Sequence, residues 1–148
     1  MHPRINYKAG RIGHIDDVDS ISLVDVFRDK QKSKCILKMY IEGSEYESLD
    51  LNLNVLRPCQ CLIIEFHDME RNMEVFIHIV EKISVEYLLI NTHINNFGPV
   101  INGIPTVIEL CFIRRSLTSE ESFFPAINIP HSLDRPCNPN KTEFTYTY

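Results

Sequence analysis

The sequence has 148 residues and a mass of 17.2 kDa, the usual size of one domain. Hydrophobic residues make up 44% and charged residues 24% of the chain, as in soluble globular proteins that bury a core without disulfides or metals. The 15 Lys and Arg against 20 Asp and Glu give a net charge of −5. This balance argues against a nucleic-acid or membrane partner. The length is also short for a complete nucleoside-binding fold with two mononucleotide-type halves.

The N-terminus and the cysteines point to a cytoplasmic protein. The first residues lack the apolar core of a secretory signal, and no apolar run approaches the roughly 18 residues of a membrane span. The five cysteines are an odd number at irregular spacings, without the paired CxxC pattern of a zinc site. We therefore expect reduced cysteines that act as small hydrophobic residues.

The first regular elements follow a stretch without hydrophobic periodicity. Ser22 and Asp25 resemble a capping box, which predicts a short helix after Ser22. A mostly apolar run, 35–41, predicts a strand. The strand is followed by a turn at Glu42-Gly43 and by a short helical patch, 45–49.

The next elements alternate between strand and helix. The apolar run 59–66 predicts a strand covered on both faces. Asp68 follows it as the predicted N-cap of the longest helix. The apolar face of that helix is predicted to comprise Met69, Met73, Phe76, Ile77, Val80 and Ile83. Further strands are predicted from residue 85 to 94 and over 106–113, with a loop at 97–105 between them.

This order of elements predicts an α/β fold in three segments. We expect an irregular segment at 1–20, the α/β domain at 21–115, and a proline-rich polar tail at 116–148 whose alternating end, 144–148, could form an edge strand. Strands that alternate with helices imply parallel pairing. The loop of about ten residues before the last strand favours an antiparallel connection there. The predicted sheet is therefore mostly parallel, with an antiparallel last strand and helices on its faces.

Five segments, taken in order, resemble the FkbM-type methyltransferases. Leu37–Glu45 (LKMYIEGSE) is similar to that family's LKxDxEGxE motif, and Leu62–His67 (LIIEFH) to its next strand. His93–Asn96 (HINN) and Val107–Ile113 (VIELCFI) resemble its HxNN and VLELTFIR segments. Pro130–Asp134 resembles its closing loop.

The resemblance spans roughly residues 20–140 and carries specific expectations. It implies a class I, Rossmann-like methyltransferase fold that takes a methyl group from S-adenosylmethionine. The implied acceptor is a hydroxyl group of a small molecule or glycan. The four predicted strands would be the fourth to the seventh of seven. Tyr40 and Ile41 would lie beside the cofactor.

Two departures from the family pattern limit what this chain is expected to do alone. No glycine-rich turn follows an apolar strand, and the nearest candidate, Gly10 with Gly13, has no strand before it. Tyr40 replaces the Asp of the family motif, and a phenol does not serve as a base or metal ligand near neutral pH without a large pKa shift. We therefore expect the C-terminal half of a methyltransferase domain, truncated before the cofactor loop, which binds S-adenosylmethionine poorly by itself.

The candidate site lies at the carboxyl ends of the parallel strands, where open α/β sheets bind ligands. The predicted catalytic residues are Glu65, His67 and Glu42, because a carboxylate beside an imidazole makes a general base for methylation of a hydroxyl. With Glu42, the pair Glu65 and His67 could instead form a His/carboxylate metal site, or all three could belong to a structural polar network. The predicted substrate-binding residues are His93, Asn95, Asn96 and Glu109.

Two classes of function remain open at this point. One is an O-methyltransferase that acts on a sugar or natural-product hydroxyl. The other is a non-catalytic interaction module. Loss of the first strands would leave an exposed sheet edge, which a partner chain or a second copy of this chain could cover.

Overall fold

The computed structural model describes residues 11–12, 20–28, 34–50, 53–119 and 129–146. The helices are α1 (Leu23–Phe27), α2 (Glu45–Asp50) and α3 (Met69–Glu86), with 3-10 turns at Leu53–Leu56 and Arg115–Leu117. The strands are β1 (Arg11–Ile12), β2 (Ser20–Ile21), β3 (Cys35–Met39), β4 (Cys59–Phe66), β5 (Tyr87–Ile94), β6 (Val100–Ile101), β7 (Ile104–Pro105) and β8 (Ile108–Arg114). No helix within these ranges is long and apolar enough to cross a membrane.

A four-stranded sheet in the order β3-β4-β8-β5 forms the centre of the fold. β3 and β4 pair in parallel, whereas β8 is antiparallel to both β4 and β5. β3, β4 and β5 consequently run in one direction, and their carboxyl ends meet at one edge of the sheet. β8 begins at that same edge.

The α/β class and the antiparallel last strand are confirmed, but the prediction of a mostly parallel sheet is wrong. One strand pair of this sheet is parallel and two are antiparallel. The reason lies in where β8 enters. Helix α3 carries the chain from β4 to β5 and leaves a gap one strand wide between them. β8 fills that gap and replaces a parallel contact by two antiparallel ones.

One face of the sheet carries the core. Leu62, Ile64 and Phe66 of β4 and Phe112 of β8 are fully buried there. The ring of Phe66 meets that of Phe76, on α3, edge to face at 5.0 Å between centroids. The ring of Tyr46, on α2, also contacts Phe66, so helices α2 and α3 both pack against this face.

Helix α3 differs from its predicted form in three places. Ile79 is fully buried, whereas Ile77, predicted to be in the core, is 47% exposed. Asp68 precedes the helix with φ +48° and makes no side-chain cap; its backbone carbonyl accepts from the N–H of Arg71 instead. The helix also runs to Glu86, so the next strand starts two residues later than predicted.

The N-terminal elements are short. Ser22 caps α1 as predicted, its hydroxyl accepting from the N–H of Asp25. Within the segment predicted to be irregular, β1 pairs with β2 in parallel. Gly10 and Gly13 lie outside the described residues.

The C-terminal segment 129–146 returns to the sheet. The backbone N–H of Asn138 donates to Oδ1 of Asn96, which follows β5, and Nδ2 of Asn96 donates to the carbonyls of Asn138 and Lys141. The predicted edge strand at 144–148 is reduced to one bridge between Tyr146 and Ile129, and residues 147–148 lie outside the described part.

Candidate functional site

His67 directly follows β4 and lies at the sheet edge where β3 and β4 end. The turn after β3 is sharp: Glu42 has φ +53° and Gly43 has φ +102°. Left-handed backbone is costly for a side chain with a Cβ and free for glycine. This turn folds the chain back so that Glu42 and the start of α2 face the end of β4.

Glu45, the first residue of α2, fixes the orientation of the imidazole. Its carboxylate is fully buried, and Oε1 lies 2.8 Å from Nδ1 of His67. The same oxygen accepts from the backbone N–H of His67 at 2.6 Å, and Oε2 accepts from the N–H of Gly43 at 2.9 Å. A carboxylate only accepts hydrogen bonds, so Nδ1 of His67 is the donor in this pair. In the neutral form of such a ring, Nε2 is the nitrogen that carries the lone pair.

Nε2 of His67 faces two further carboxylates. It lies 3.4 Å from Oε2 of Glu42 and 3.5 Å from Oε2 of Glu65. The side chain of Glu42 is 83% exposed, that of His67 15% and that of Glu65 7%. We call Glu42, Glu65 and His67, with Glu45 behind them, the His67 cluster. The exposure of its side chains ranges from the largely exposed Glu42 to the fully buried Glu45.

Glu65 is also held through its second carboxylate oxygen. Its Oε1 accepts from Nδ2 of Asn95 at 2.8 Å. Oδ1 of Asn95 in turn accepts from the backbone N–H of Phe97, which locks the amide. Asn95, predicted to bind substrate, therefore lies next to the His67 cluster and positions one of its carboxylates.

Glu109 and His93 form a row with Glu65 across the sheet. Glu65 of β4 is the register partner of Glu109 on β8, and Glu109 is the partner of His93 on β5. Burial raises the pKa of Glu109, although nearby Lys38 acts in the opposite direction. The structure thus places Glu109 and His93, two of the four predicted substrate-binding residues, on the sheet face next to the cluster, one and two strands away.

Asn96, His93, Tyr40 and Ile41 lie outside the cluster. Asn96 is 1% exposed, and its amide binds the C-terminal segment, so it offers no surface to a substrate. His93 pairs with Glu143 of that segment at 3.6 Å. Tyr40 and Ile41 follow β3, and the ammonium of Lys38 lies over the ring of Tyr40 at 4.6 Å.

Sequence reasoning missed Glu45 as a site residue. The available signal was its place as the last residue of the segment that resembles the EGxE motif, where a carboxylate recurs three residues after Glu42. Tyr46 was also missed; its hydroxyl donates to the backbone carbonyl of His67 at 2.6 Å. Burial raises the pKa of Tyr46, and the neighbouring Glu45 adds to the effect. Both residues support His67 rather than face an open ligand.

The arrangement has two chemical uses. A neutral imidazole with Nδ1–H bound to a carboxylate is a good proton acceptor at Nε2. The same geometry is common among metal ligands, because the buried carboxylate fixes the ring for coordination. The first use places an acceptor oxygen between Nε2 and the outer carboxylates, and the second places a cation there.

Two cavities lie away from the cluster. One, of about 400 Å³, is lined by residues around Asp50, Arg57 and Tyr87. The other, of about 370 Å³, is mostly apolar and lies between α3 and the β6–β7 hairpin. The His67 cluster contributes to neither, and it opens to solvent on the side of Glu42.

Comparison of the chain with protein-family models, with curated proteins and with solved structures finds no match. A functional assignment for this chain therefore depends on its own residues and their geometry.

Proposed function

We propose that the chain supplies the acceptor-binding part of an S-adenosylmethionine-dependent O-methyltransferase of the FkbM type. The observation that carries this proposal is the His67 cluster, in which buried Glu45 holds His67 so that Nε2 faces outward between Glu42 and Glu65. The cluster lies at the carboxyl ends of β3 and β4, where α/β sheets bind their ligands. The antiparallel last strand supports the same assignment.

The reaction needs an acceptor oxygen with increased negative charge. S-adenosylmethionine supplies an electrophilic methyl group when it is bound. The cluster would receive the acceptor hydroxyl between Nε2 and the carboxylates, and Nε2 of His67 would accept the hydroxyl proton as the oxygen takes the methyl group. Glu42, which is exposed, would meet the acceptor first, and Glu65 would orient it. The exposed position of Glu42 suits a polyhydroxylated acceptor such as a sugar.

The described residues do not make up a donor site by themselves. They include no turn with more than one glycine. Tyr40 and Ile41, the two residues expected beside the donor, directly follow β3. Calorimetric titration with S-adenosylmethionine is expected to show weak binding.

Transfer of an isotope-labelled methyl group to a panel of sugars and alcohols, at saturating donor, tests the function. We expect label on a hydroxyl group and a loss of at least about 100-fold in His67→Ala, because a positioned acid or base contributes about that much or more. The exposed variant Glu74→Gln on α3 is the matched control. An absence of transfer, or transfer that does not change in His67→Ala, would contradict the proposal.

A second candidate function is that of an interaction module, and strand β3 favours it. Within the described part of the chain, β3 pairs with β4 only, and Ile36 on it is 69% exposed. An open edge with an exposed apolar side chain is a surface on which another strand can pair. The partner would be another chain or a second copy of this one.

A further inference from the structure

The three outer groups of the His67 cluster are spaced like the ligands of one metal ion. One ligand atom from each of Glu42, Glu65 and His67 lies within 4.8 Å of the other two. From Nε2, the two carboxylate oxygens are 3.4 and 3.5 Å away. Ligands bound at roughly 2.0–2.2 Å to one ion are themselves separated by roughly 3–3.5 Å. Little movement would therefore close these groups around a cation.

The imidazole is already prepared for coordination. A metal-binding histidine usually donates its second ring N–H to a carboxylate, which fixes the tautomer and the ring plane. Fully buried Glu45 does this at Nδ1 of His67, at 2.8 Å. Its other hydrogen bonds, from the backbone N–H groups of His67 and Gly43, prevent it from turning toward the open side. Glu45 is thus a positioning residue and not a ligand.

The negative charge of the cluster also favours the binding of a cation. Glu42, Glu45 and Glu65 surround one imidazole, and two of these carboxylates are buried. Among the described residues, no Lys or Arg forms an ion pair with any of the three. Buried carboxylates are normally paired or coordinated to a metal. A divalent cation between Nε2, Glu42 and Glu65 would supply the missing positive charge.

We infer that Glu42, Glu65 and His67 bind a divalent transition-metal cation, with Glu45 in support. One nitrogen and two carboxylate oxygens suit Mn²⁺, Fe²⁺ or Zn²⁺ better than Mg²⁺ or Ca²⁺, which prefer oxygen ligands alone. Three protein ligands leave positions open for an exchangeable oxygen. A role for the cation in binding the acceptor hydroxyl depends on the proposed function, whereas the site itself does not.

Titration of the intact chain with Mn²⁺ tests the site. Binding is monitored by the loss of the free-ion electron paramagnetic resonance signal and by calorimetry. Mn²⁺ avoids thiolates, so the five cysteines do not compete for it. We expect one site per chain, tighter binding of Zn²⁺ than of Mn²⁺ at this site, and little competition by Mg²⁺. Because this readout needs no donor or acceptor, binding without methyl transfer would overturn the proposed function and leave the site standing.

Variants of the cluster connect the binding to these residues. Glu42→Gln, in an exposed turn, is expected to weaken Mn²⁺ binding at least about tenfold without unfolding the chain, and Glu45→Gln by about 10–100-fold. His67→Ala is expected to abolish binding. Glu74→Gln, exposed on α3, is the matched control and should bind as the wild type does. Absence of Mn²⁺ binding, or equal binding by wild type and Glu42→Gln, would overturn the inference.

Discussion

Glu45 combines burial with a large number of hydrogen bonds. It accepts from two backbone N–H groups and one ring N–H, and no part of its side chain reaches solvent. A buried acceptor of this kind holds two loops together, the turn after β3 and the residue after β4. Its removal would leave donors without partners in a site that water reaches poorly.

We predict that Glu45→Ala lowers the free energy of unfolding by about 2–4 kcal/mol, because each buried donor left unpaired costs about 1–3 kcal/mol. Glu45→Gln should lose less, since its remaining carbonyl oxygen can still accept. Urea denaturation measures both changes. The exposed Glu74→Ala is the control and should change stability by less than about 0.5 kcal/mol. A loss for Glu45→Ala as small as that of the control would contradict the assignment.

At the scale of elements, the buried face of α3 differs in part from the predicted one. Periodicity placed both Ile77 and Ile83 in the core, but Ile79 is the fully buried position and Ile77 is exposed. Phe76, Val80 and Ile83 pack in or against the core. With about 3.6 residues per turn, Ile79 lies on the same side of the helix as these three, whereas Ile77 lies about 100° away from Phe76, at the edge of that face.

Paired alanine substitutions test the face of α3. Ile79→Ala should lower the free energy of unfolding by about 2–5 kcal/mol, as is usual for a buried isoleucine. Ile77→Ala should change it by less than about 1 kcal/mol, because the side chain is 47% exposed. Chemical denaturation of both variants at one pH supplies the comparison. Equal losses in the two variants would mean that the helix face is assigned incorrectly.

The sequence predicts the helices and strands well, and the order in which the strands pair less well. Ser22 as a cap, Gly43 in a turn and the run 59–66 as a strand are local features, each determined by a few adjacent residues. The insertion of β8 between β4 and β5 depends on contacts between distant residues, which no local pattern records. The extension of α3 to Glu86 is another case, since Val85 is apolar yet 76% exposed.

In the candidate site, too, local features could be predicted from the sequence and contacts between distant residues could not. The row of polar residues at strand ends could be predicted, because chain direction brings the ends of β3 and β4 together. The part played by Glu45 could not, since it depends on the left-handed turn at Glu42 and Gly43 that aims α2 at His67. The position of Asn96 under the C-terminal segment also depends on a contact that is remote in sequence.

Across the whole molecule, buried thiols and phenols make the folded state less stable at alkaline pH. Burial raises the pKa of Cys59 to about 12 and that of Cys111 to about 11, from 9.0. Burial likewise raises the pKa of Tyr87 to about 12 from 10.0, although Arg114 opposes the shift. Above about pH 9 the unfolded chain releases protons that the folded chain keeps, so stability falls as pH rises.

We therefore predict a decline of the urea midpoint between about pH 9 and pH 11, and a shallower decline in Cys111→Ala, which removes one of the groups that the fold keeps protonated. Between about pH 6 and pH 8 these groups should contribute no slope, and that range serves as the internal control. An equally steep decline in wild type and Cys111→Ala would show that this thiol does not contribute.

The open edge of β3 concerns the molecule as an assembly. If another copy pairs there, light scattering after size exclusion should show a mass that increases with concentration in the wild type and stays monomeric in Ile36→Asp. Ile77→Asp is the matched control, because Ile77 is also an exposed apolar residue but lies on α3. A wild-type chain that is monomeric at all concentrations would contradict the pairing of two copies at β3.

The position of β8 has a consequence for how the chain is made. β8 is the last strand of the sheet in the sequence but lies in its interior, between β4 and β5. During synthesis from the N-terminus, β4 and β5 emerge before the strand that joins them. Until residues 108–114 have left the ribosome, both strands have unpaired backbone edges, and pairing over such distances along the chain is slow. The nascent chain is therefore most prone to aggregate shortly before its sheet can close.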